Sequence, residues 1–156
     1  MARRNRATKR EILPDPKYNS VYVGGFINRV MKGGKKSTAQ RIVYEALDIL
    51  EKENSRDPLE TFNQALRNAT PQLEVKPRRV GGATYQVPIE VRSNRQLSLA
   101  MRWLLVASRA RTGRPMAEKL ALELQEASKG QGAAVRRREE IHRMAEANRA
   151  FVHYRW

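Results

Sequence analysis

The spacing of apolar residues changes once along this chain and then changes back. Between residues 20 and 70 apolar side chains recur every three or four positions, which predicts amphipathic helices. From Leu73 to Val91 they alternate with polar side chains, which predicts two short strands, and helical spacing returns at Ser93. A lone strand pair inside a helical sequence cannot build a large sheet. The sequence therefore predicts a mainly α fold: a single domain of about six helices with an inserted two-stranded β-ribbon at about residues 72–91.

Glycine, proline and capping residues mark where these elements begin and end. Gly33-Gly34 ends the first helix, and Asp57-Pro58-Leu59-Glu60 combines an N-cap, a proline at the first helical position and an early glutamate. Gly81-Gly82 is typical of a hairpin turn. Pro77 and Pro88 lack the amide hydrogen that a central strand donates, so we expect no third strand. Helices are predicted at about residues 20–32, 37–53, 58–70, 93–109, 116–128 and 135–148, after an extended link at Pro14 and Pro16.

Positive charge is concentrated in two stretches of the chain. The 31 lysine and arginine residues outnumber the 16 acidic residues, which gives a formal net charge of +15 and a pI of about 10.9. Residues 1–36 carry a surplus of eight positive charges and residues 71–114 a surplus of seven, whereas residues 37–70 carry a deficit of two. A merely solvated surface would intersperse the two signs. Two basic blocks therefore indicate one or two surfaces that bind phosphates.

Several classes of protein need residues that this sequence does not supply. The chain has no cysteine, which excludes disulfides, thiolate nucleophiles and cysteine-bound zinc. His142 and His153 lie beside no acidic cluster, and no catalytic set can be assembled from the spacing, so we expect no metal, no cofactor and no enzymatic activity. No apolar run approaches the roughly 18 residues of a membrane span, and no signal peptide is visible. We expect a cytosolic protein.

The helix predicted from Ser93 to Arg109 carries the clearest binding signal. At 100° per residue, four of its arginines fall within roughly a 100° arc, and the apolar residues lie mostly on the other side. No acidic residue occurs between Glu90 and Glu118. We therefore expect this stripe to lack local partners and to contact phosphates, although a solvated face is the ordinary alternative. The four residues are Arg92, Arg95, Arg102 and Arg109.

Other basic segments each have two interpretations. Lys35 and Lys36 follow two glycines in an interhelical loop that resembles a nucleotide-binding P-loop only superficially, because the spacing of that motif fails. What remains is a loop whose lysines neutralise phosphates. The ribbon carries Lys76, Arg78 and Arg79, which suit either an RNA groove or a hairpin whose charges prevent aggregation.

Both ends of the chain are basic. We expect residues 1–11 to form a flexible arm that orders only on a partner, and residues 12–156 to form the helical domain. Near the other end, Arg136-Arg137-Arg138 before Glu139-Glu140 predicts ion pairs within one helix. The tail Tyr154-Arg155-Trp156 either docks on the body or stacks on unpaired bases. The cations of the arm are Arg3, Arg4, Arg6, Lys9 and Arg10.

Five stretches of the chain together form a familiar pattern. The most characteristic runs from Arg78 to Pro88, with the sequence RRVGGATYQVP. The others are LPDPKY at residues 13–18, GKKS at 34–37 with IVY at 42–44, AMRW at 100–103 and MAEANRAFVHYRW at 144–156. In their order along the chain, these stretches resemble the family of small-subunit ribosomal protein seven, in its bacterial form. The resemblance covers nearly the whole chain.

The resemblance implies a structural constituent of the small ribosomal subunit. Such a protein is a primary binder of 16S ribosomal RNA, nucleates assembly of the subunit head through the 3′ major domain, and neighbours small-subunit ribosomal proteins nine and eleven. It implies RNA contacts through the arm, the Lys35–Lys36 loop, the ribbon and the arginine-rich helix, extended to Arg111 and Arg114. It also implies proximity to the exit-site transfer RNA and the messenger RNA path for Val80, Gly81, Gly82, Ala83, Arg143, Tyr154, Arg155 and Trp156. No homo-oligomer is expected.

Two alternative functions remain open at this point. A histone-like or architectural DNA-binding protein would satisfy the charge alone. A peripheral membrane protein would need a bulky apolar rim that the arginine stripe lacks. The residues also leave open a plastid-encoded relative rather than a bacterial one.

Overall fold

The helices and strands follow one another in the order expected from the spacing of apolar residues. The computed structural model describes Thr8, residues 10–54 and residues 57–154. These residues form the helices α1 (Val21–Val30), α2 (Lys36–Asn54), α3 (Pro58–Ala69), α4 (Ser93–Ala110), α5 (Met116–Ser128) and α6 (Ala133–Ala147), the strands β1 (Leu73–Val80) and β2 (Ala83–Glu90), and a 3-10 helix at Arg149–Tyr154. The predicted fold class is confirmed. The helix bounds agree with the prediction to within about two residues, and α6 begins two residues earlier than predicted.

Capping residues start two of the helices where the sequence predicts them. The Ser20 hydroxyl accepts a hydrogen bond from the amide of Val23 at 3.5 Å, at the first turn of α1. The Asp57 carboxylate accepts one from the amide of Leu59 at 2.9 Å, and Pro58 occupies the first position of α3. Each cap satisfies an amide that has no carbonyl partner within its own helix.

The core lies around α5, which packs against α2, α3 and α4. Leu104, Leu120 and Leu124 are almost completely buried there. Phe26 and Phe62 bring α1 and α3 into this core, with ring centroids 5.4 Å apart in an edge-to-face arrangement. The helical body is thus a fixed support for the charged residues on its surface.

The strands form an antiparallel ribbon that has no third strand in the part of the chain that the structure describes. Leu73 pairs with Glu90 at the base, and Val80 pairs with Ala83 at the tip. Gly81 and Gly82 have φ angles of +57° and +90°, which glycine adopts without steric cost. The base packs against α6, while the tip residues 81–83 are exposed. The predictions of a lone ribbon and of its turn are confirmed.

The segment before α1 is attached to α2 by a buried carboxylate. Asp15 is 2% exposed and accepts hydrogen bonds from the amides of Lys17 and Tyr18, both at 3.1 Å, and from the hydroxyl of Tyr44 at 2.7 Å. Burial, followed by the hydrogen bond to Asp15, raises the pKa of Tyr44 to about 12. The expected extended link is therefore wrong in part, because the side chain of Asp15 organises residues 16–18 into a turn.

Candidate nucleic-acid interface

Three of the four predicted arginines on α4 have no carboxylate within ion-pair distance among the residues that the structure describes. Arg92 precedes the helix, Arg102 lies at its middle and Arg109 lies near its end, and all three are exposed. Arg109 donates a hydrogen bond to the carbonyl oxygen of Val30 at 3.3 Å, which orients its guanidinium without neutralising it. This exposed row of uncompensated charge is the arrangement that a phosphate backbone neutralises.

The fourth arginine of the stripe, Arg95, has a partner that its own neighbourhood in the sequence does not reveal. Its Nε atom lies 2.8 Å from Oε2 of Glu74, and the Nζ atom of Lys76 lies 3.7 Å from Oε1 of the same carboxylate. Glu74 belongs to β1 and is 8% exposed. The expectation that the whole stripe lacks partners is therefore wrong for Arg95, because the fold brings the base of the ribbon beside the start of α4.

The loop between α1 and α2 and the end of α4 line one groove. Lys32, Lys35 and Arg109 border this groove, which has a volume of about 450 Å³. Lys36 is also exposed, at the first residue of α2. The glycines at positions 33 and 34 leave open space where a Cβ would lie, with nothing within 4 Å. Lys35 and Arg109, which were predicted from separate parts of the sequence, therefore border one groove. We group them with the neighbouring exposed lysines and with the other exposed, unpaired arginines of the predicted stripe, and call this set the α1–α4 basic face: Lys32, Lys35, Lys36, Arg92, Arg102 and Arg109.

Arg29 belongs to this region and was not among the predicted site residues. Its guanidinium donates hydrogen bonds to the carbonyl oxygen of Ser98 at 3.2 Å and to the hydroxyl of Ser98 at 3.0 Å. This contact joins α1 to α4 beneath the basic face. Its signal in the sequence was a single arginine in an otherwise apolar helix.

The predicted RNA contacts Arg111 and Arg114 both have glutamate partners within the protein. Arg111 donates hydrogen bonds to Glu126 and to Glu123, and these bonds raise the pKa of its guanidinium above its ordinary value. Arg114 lies 3.9 Å from Glu118 and is 59% exposed. Since both of its glutamate partners belong to α5, Arg111 holds the end of α4 to α5, and its charge is already balanced within the protein. Arg114 is only weakly paired.

The predicted residues of the ribbon lie along β1 and at the tip. Lys76 and Arg79 are exposed, and Arg78 is half-buried opposite Tyr85 in the strand pairing. Val80 is half-buried, whereas Gly81, Gly82 and Ala83 are exposed. The tip therefore presents backbone and small side chains to its surroundings.

The tail folds against the ribbon through aromatic contacts. The rings of Phe151 and Tyr154 lie 5.0 Å and 5.5 Å from the ring of Tyr85. Of the two interpretations of the tail, Tyr154 therefore fits the first, in which the tail docks on the body of the protein. Arg155 and Trp156 lie outside the described residues, as do Arg3, Arg4, Arg6 and Lys9, whereas Arg10 and Arg143 are exposed.

The arginine run at the start of α6 is partly neutralised, as its spacing predicts. Arg137 lies 2.9 Å from Glu140, which is a predicted i,i+3 pair, whereas Arg138 lies 3.4 Å from the adjacent Glu139, which is not a pair of the predicted spacing. Arg138 also donates a hydrogen bond to the carbonyl oxygen of Asn68 at 2.6 Å, which ties α6 to α3. These contacts favour a structural role for Arg137 and Arg138.

Comparison with known proteins places these features in a family. Residues 2–149 match the family model described as ribosomal protein S7p/S5e. The chain belongs to this family. It is 62% identical over 156 residues to small ribosomal subunit protein uS7 of Dehalococcoides mccartyi, covering 100% of both chains. It is 58% identical over 154 residues to the protein of the same name from Kosmotoga olearia, covering 99% of both, and 60% identical over 156 residues to that of Hahella chejuensis, covering 100% of both.

Family membership fixes the broad class of this protein. It is a structural, RNA-binding protein of the small ribosomal subunit, it takes part in translation and it is not an enzyme. The relatives named above are bacterial, and the ribosome in which such a protein works is cytoplasmic. Across the described ranges no helix is long and apolar enough to cross a bilayer, and no group of three or more histidine, aspartate or glutamate side chains is arranged to hold a metal ion.

Proposed function

We propose that this protein is a primary binder of 16S ribosomal RNA that nucleates assembly of the subunit head through the 3′ major domain. The α1–α4 basic face carries the proposal. Arg102 and Arg109 are two helical turns apart, a separation of about 10 Å along the axis, and neither has a carboxylate partner among the described residues. Lys35 extends the same face from a different part of the chain.

The rigidity of this face supports a role in organising RNA. Arg29 and Arg109 each bond α1 to α4, so the two helices carry their cations in a fixed relation. A protein whose charges keep their spacing favours one arrangement of RNA helices over others, because phosphate contacts set register and orientation. The proposed contacts to ribosomal RNA are therefore the basic face, the ribbon cations Lys76, Arg78 and Arg79, Arg95 of α4, the arm, and Arg114. Arg111 is excluded from them because it serves the fold.

The opposite end of the ribbon supports a second contact. We infer that the exposed tip and the carboxyl-terminal region, including Arg143, lie near the exit-site transfer RNA and the messenger RNA. The stacking of Tyr154 on Tyr85 makes the ribbon and the tail one surface. We also propose, as the family resemblance implies, that small-subunit ribosomal proteins nine and eleven are its neighbours.

Binding to a fragment of the 3′ major domain tests the main proposal. At physiological salt the protein should prefer this fragment to random duplex RNA and to duplex DNA of equal length. Arg102→Gln should weaken binding and reduce the slope of log affinity against log salt by roughly 1, because one phosphate contact is lost. Melting temperature should stay within a degree or two of wild type, since Arg102 is exposed.

Arg41→Gln is the matched control. Arg41 is 72% exposed on α2, where Glu45 lies 3.9 Å away, and it lies outside the basic face. Its removal should leave the salt slope unchanged. Equal affinity for the fragment and for duplex DNA would instead favour an architectural DNA-binding protein and would overturn the proposal.

A further inference from the structure

A second groove, away from the lysines of the basic face, lies where α1 begins, α3 ends and α4 begins. Its volume is about 550 Å³, within the range of sites that hold small organic groups. Leu66 and Leu97 give it an apolar floor, and the ring of Tyr22, whose residue is 51% exposed, lines it as well. We call it the α1–α3–α4 groove.

The polar lining of this groove is not used by the fold. The side-chain amides of Asn63, Asn94 and Gln96 make no hydrogen bond to any other residue in the described part of the chain. Asn68, about one turn after Asn63 on α3, is the opposite case, because its amide donates to the carbonyl oxygens of Ala127 and Ser128 at 2.8 Å and 2.9 Å. Three unengaged amides beside an exposed aromatic ring are thus a feature of this groove.

The groove also carries positive charge, and its α4 side begins directly after Arg92 of the proposed RNA surface. Arg67 lines it and donates one hydrogen bond, to Oε1 of Gln64 at 2.9 Å. No carboxylate side chain lines the groove in the described residues. Ser93, Asn94 and Gln96 belong to the first turn of α4, directly after Arg92. A nucleic acid that follows the arginines of α4 therefore reaches the groove without leaving the protein surface.

We propose that the α1–α3–α4 groove binds a single unpaired base of the ribosomal RNA, and that this base is an adenine. Unstacked bases bind to proteins by stacking on tyrosine or arginine and by hydrogen bonds to their edges. The amides of asparagine and glutamine match the N6 donor and N7 acceptor of adenine in a bidentate pair. The inference rests on the proposed function, because its ligand belongs to the same RNA.

Two variants test the groove with the 3′ major-domain fragment and the full chain. Tyr22→Ala removes the stacking ring, and the double variant Asn63→Ala with Asn94→Ala removes two amides. Each should lower affinity by about fivefold or more, the range for loss of one stacked or paired base. Neither should alter the slope of affinity against salt, since no phosphate contact is lost. This unchanged slope separates the groove from the basic face.

Diethyl pyrocarbonate, which modifies N7 of unstacked adenines, identifies the base, because the proposed amide pair occupies N7. The wild-type protein should protect at least one unpaired adenine of the fragment, and both groove variants should lose that protection while the remaining footprint persists. Gln131→Ala is the control, because Gln131 is an exposed amide in the turn before α6, outside the groove. It should keep the affinity and the footprint of the wild type.

The possible results separate the two proposals. If the wild type shows no preference for the fragment, the proposed function fails and the groove proposal fails with it. If the wild type binds but both groove variants bind equally well with an unchanged footprint, only the groove proposal is overturned. If the wild type binds the fragment but leaves the N7 reactivity of every adenine unchanged, the assignment of the base is overturned.

Discussion

Arg111 donates two hydrogen bonds to a single carboxylate oxygen of Glu123, from Nε at 3.1 Å and from Nη2 at 2.6 Å. Glu123 is completely buried, and its other oxygen accepts a hydrogen bond from the amide of Ala134 at 3.0 Å. The same carboxylate therefore neutralises an arginine at the end of α4 and caps the start of α6. One ion pair sets the geometry of three helices.

Glu123→Ala should destabilise the fold strongly. The substitution removes the buried carboxylate that pairs with the Arg111 guanidinium, and it removes the acceptor for the amide of Ala134. Loss of one member of a buried pair costs about 3–5 kcal/mol. Urea unfolding followed by circular dichroism measures the change in free energy of unfolding.

Glu118→Gln is the control for this measurement. Glu118 is 44% exposed and lies 3.9 Å from Arg114, so its loss should change the free energy of unfolding by less than about 1 kcal/mol. A Glu123→Ala protein as stable as this control would contradict the structural role of the pair between Arg111 and Glu123.

Tyr44→Phe should loosen the attachment of the segment before α1. The variant removes the 2.7 Å hydrogen bond to the buried Asp15, which should cost about 1–2 kcal/mol in free energy of unfolding. Tyr22→Phe, which changes an exposed tyrosine, should cost much less.

The same bond makes stability depend on alkaline pH. The pKa of Tyr44 is raised to about 12, whereas a tyrosine of the unfolded chain titrates near 10. The stability that this hydroxyl contributes is therefore complete below about pH 10 and is lost as pH rises towards 12. The free energy of unfolding, measured from pH 9 to 11.5, should fall more steeply for the wild type than for Tyr44→Phe. Parallel curves would show that Tyr44 does not contribute.

His142 should make the base of the ribbon sensitive to mild acid. Its Nε2 atom accepts a hydrogen bond from the amide of Gln72 at 3.1 Å, which only neutral histidine can do. Burial and the charge of Arg138 lower the pKa of His142 below its usual value of about 6.5. The resulting stability is present above pH 6.5 and is lost as pH falls through the pKa of the folded state.

Hydrogen exchange at the Gln72 amide measures this effect directly. Corrected for intrinsic rates, protection should fall between pH 7 and pH 5 in the wild type and should change little in His142→Gln, which keeps an acceptor without the titration. Protection of the Gln72 amide that stays constant in the wild type would contradict the predicted role of His142.

Glu74→Gln should strengthen RNA binding. Glu74 holds the charges of Arg95 and Lys76, so its neutralisation releases two cations at the edge of the basic face. Affinity for the 3′ major-domain fragment should rise severalfold and the salt slope should steepen. Unchanged affinity would place Arg95 and Lys76 outside the RNA contact.

The sequence predicted what depends on local spacing and missed what depends on distant contacts. Helix starts at Ser20 and Asp57 and the turn at Gly81-Gly82 are encoded by residues a few positions apart. The pairing of Arg95 with Glu74 joins residues from separate elements, so a search for acids near the arginine stripe could not find it. Arg111 shows the same limit, because Glu123 reaches it only after α4 and α5 pack together.

The candidate site divides along the same line. That α4 is amphipathic and basic follows from a 3.6-residue period, whereas the convergence of Lys35 with Arg109 requires the packing of α1 against α4. The α1–α3–α4 groove has no continuous motif at all. Its members come from three helices, and asparagines such as Asn63 and Asn68 can be told apart only by their hydrogen bonds.

The aromatic contact between Tyr85 and Tyr154 gives the last helical turn an influence beyond its own position. Tyr85 belongs to β2, so the hairpin receives part of its support from a residue that is synthesised about seventy positions later. A chain cut before Arg149 would keep all six α-helices but would have an incompletely braced hairpin, so a nonsense codon at that point would damage an element far upstream.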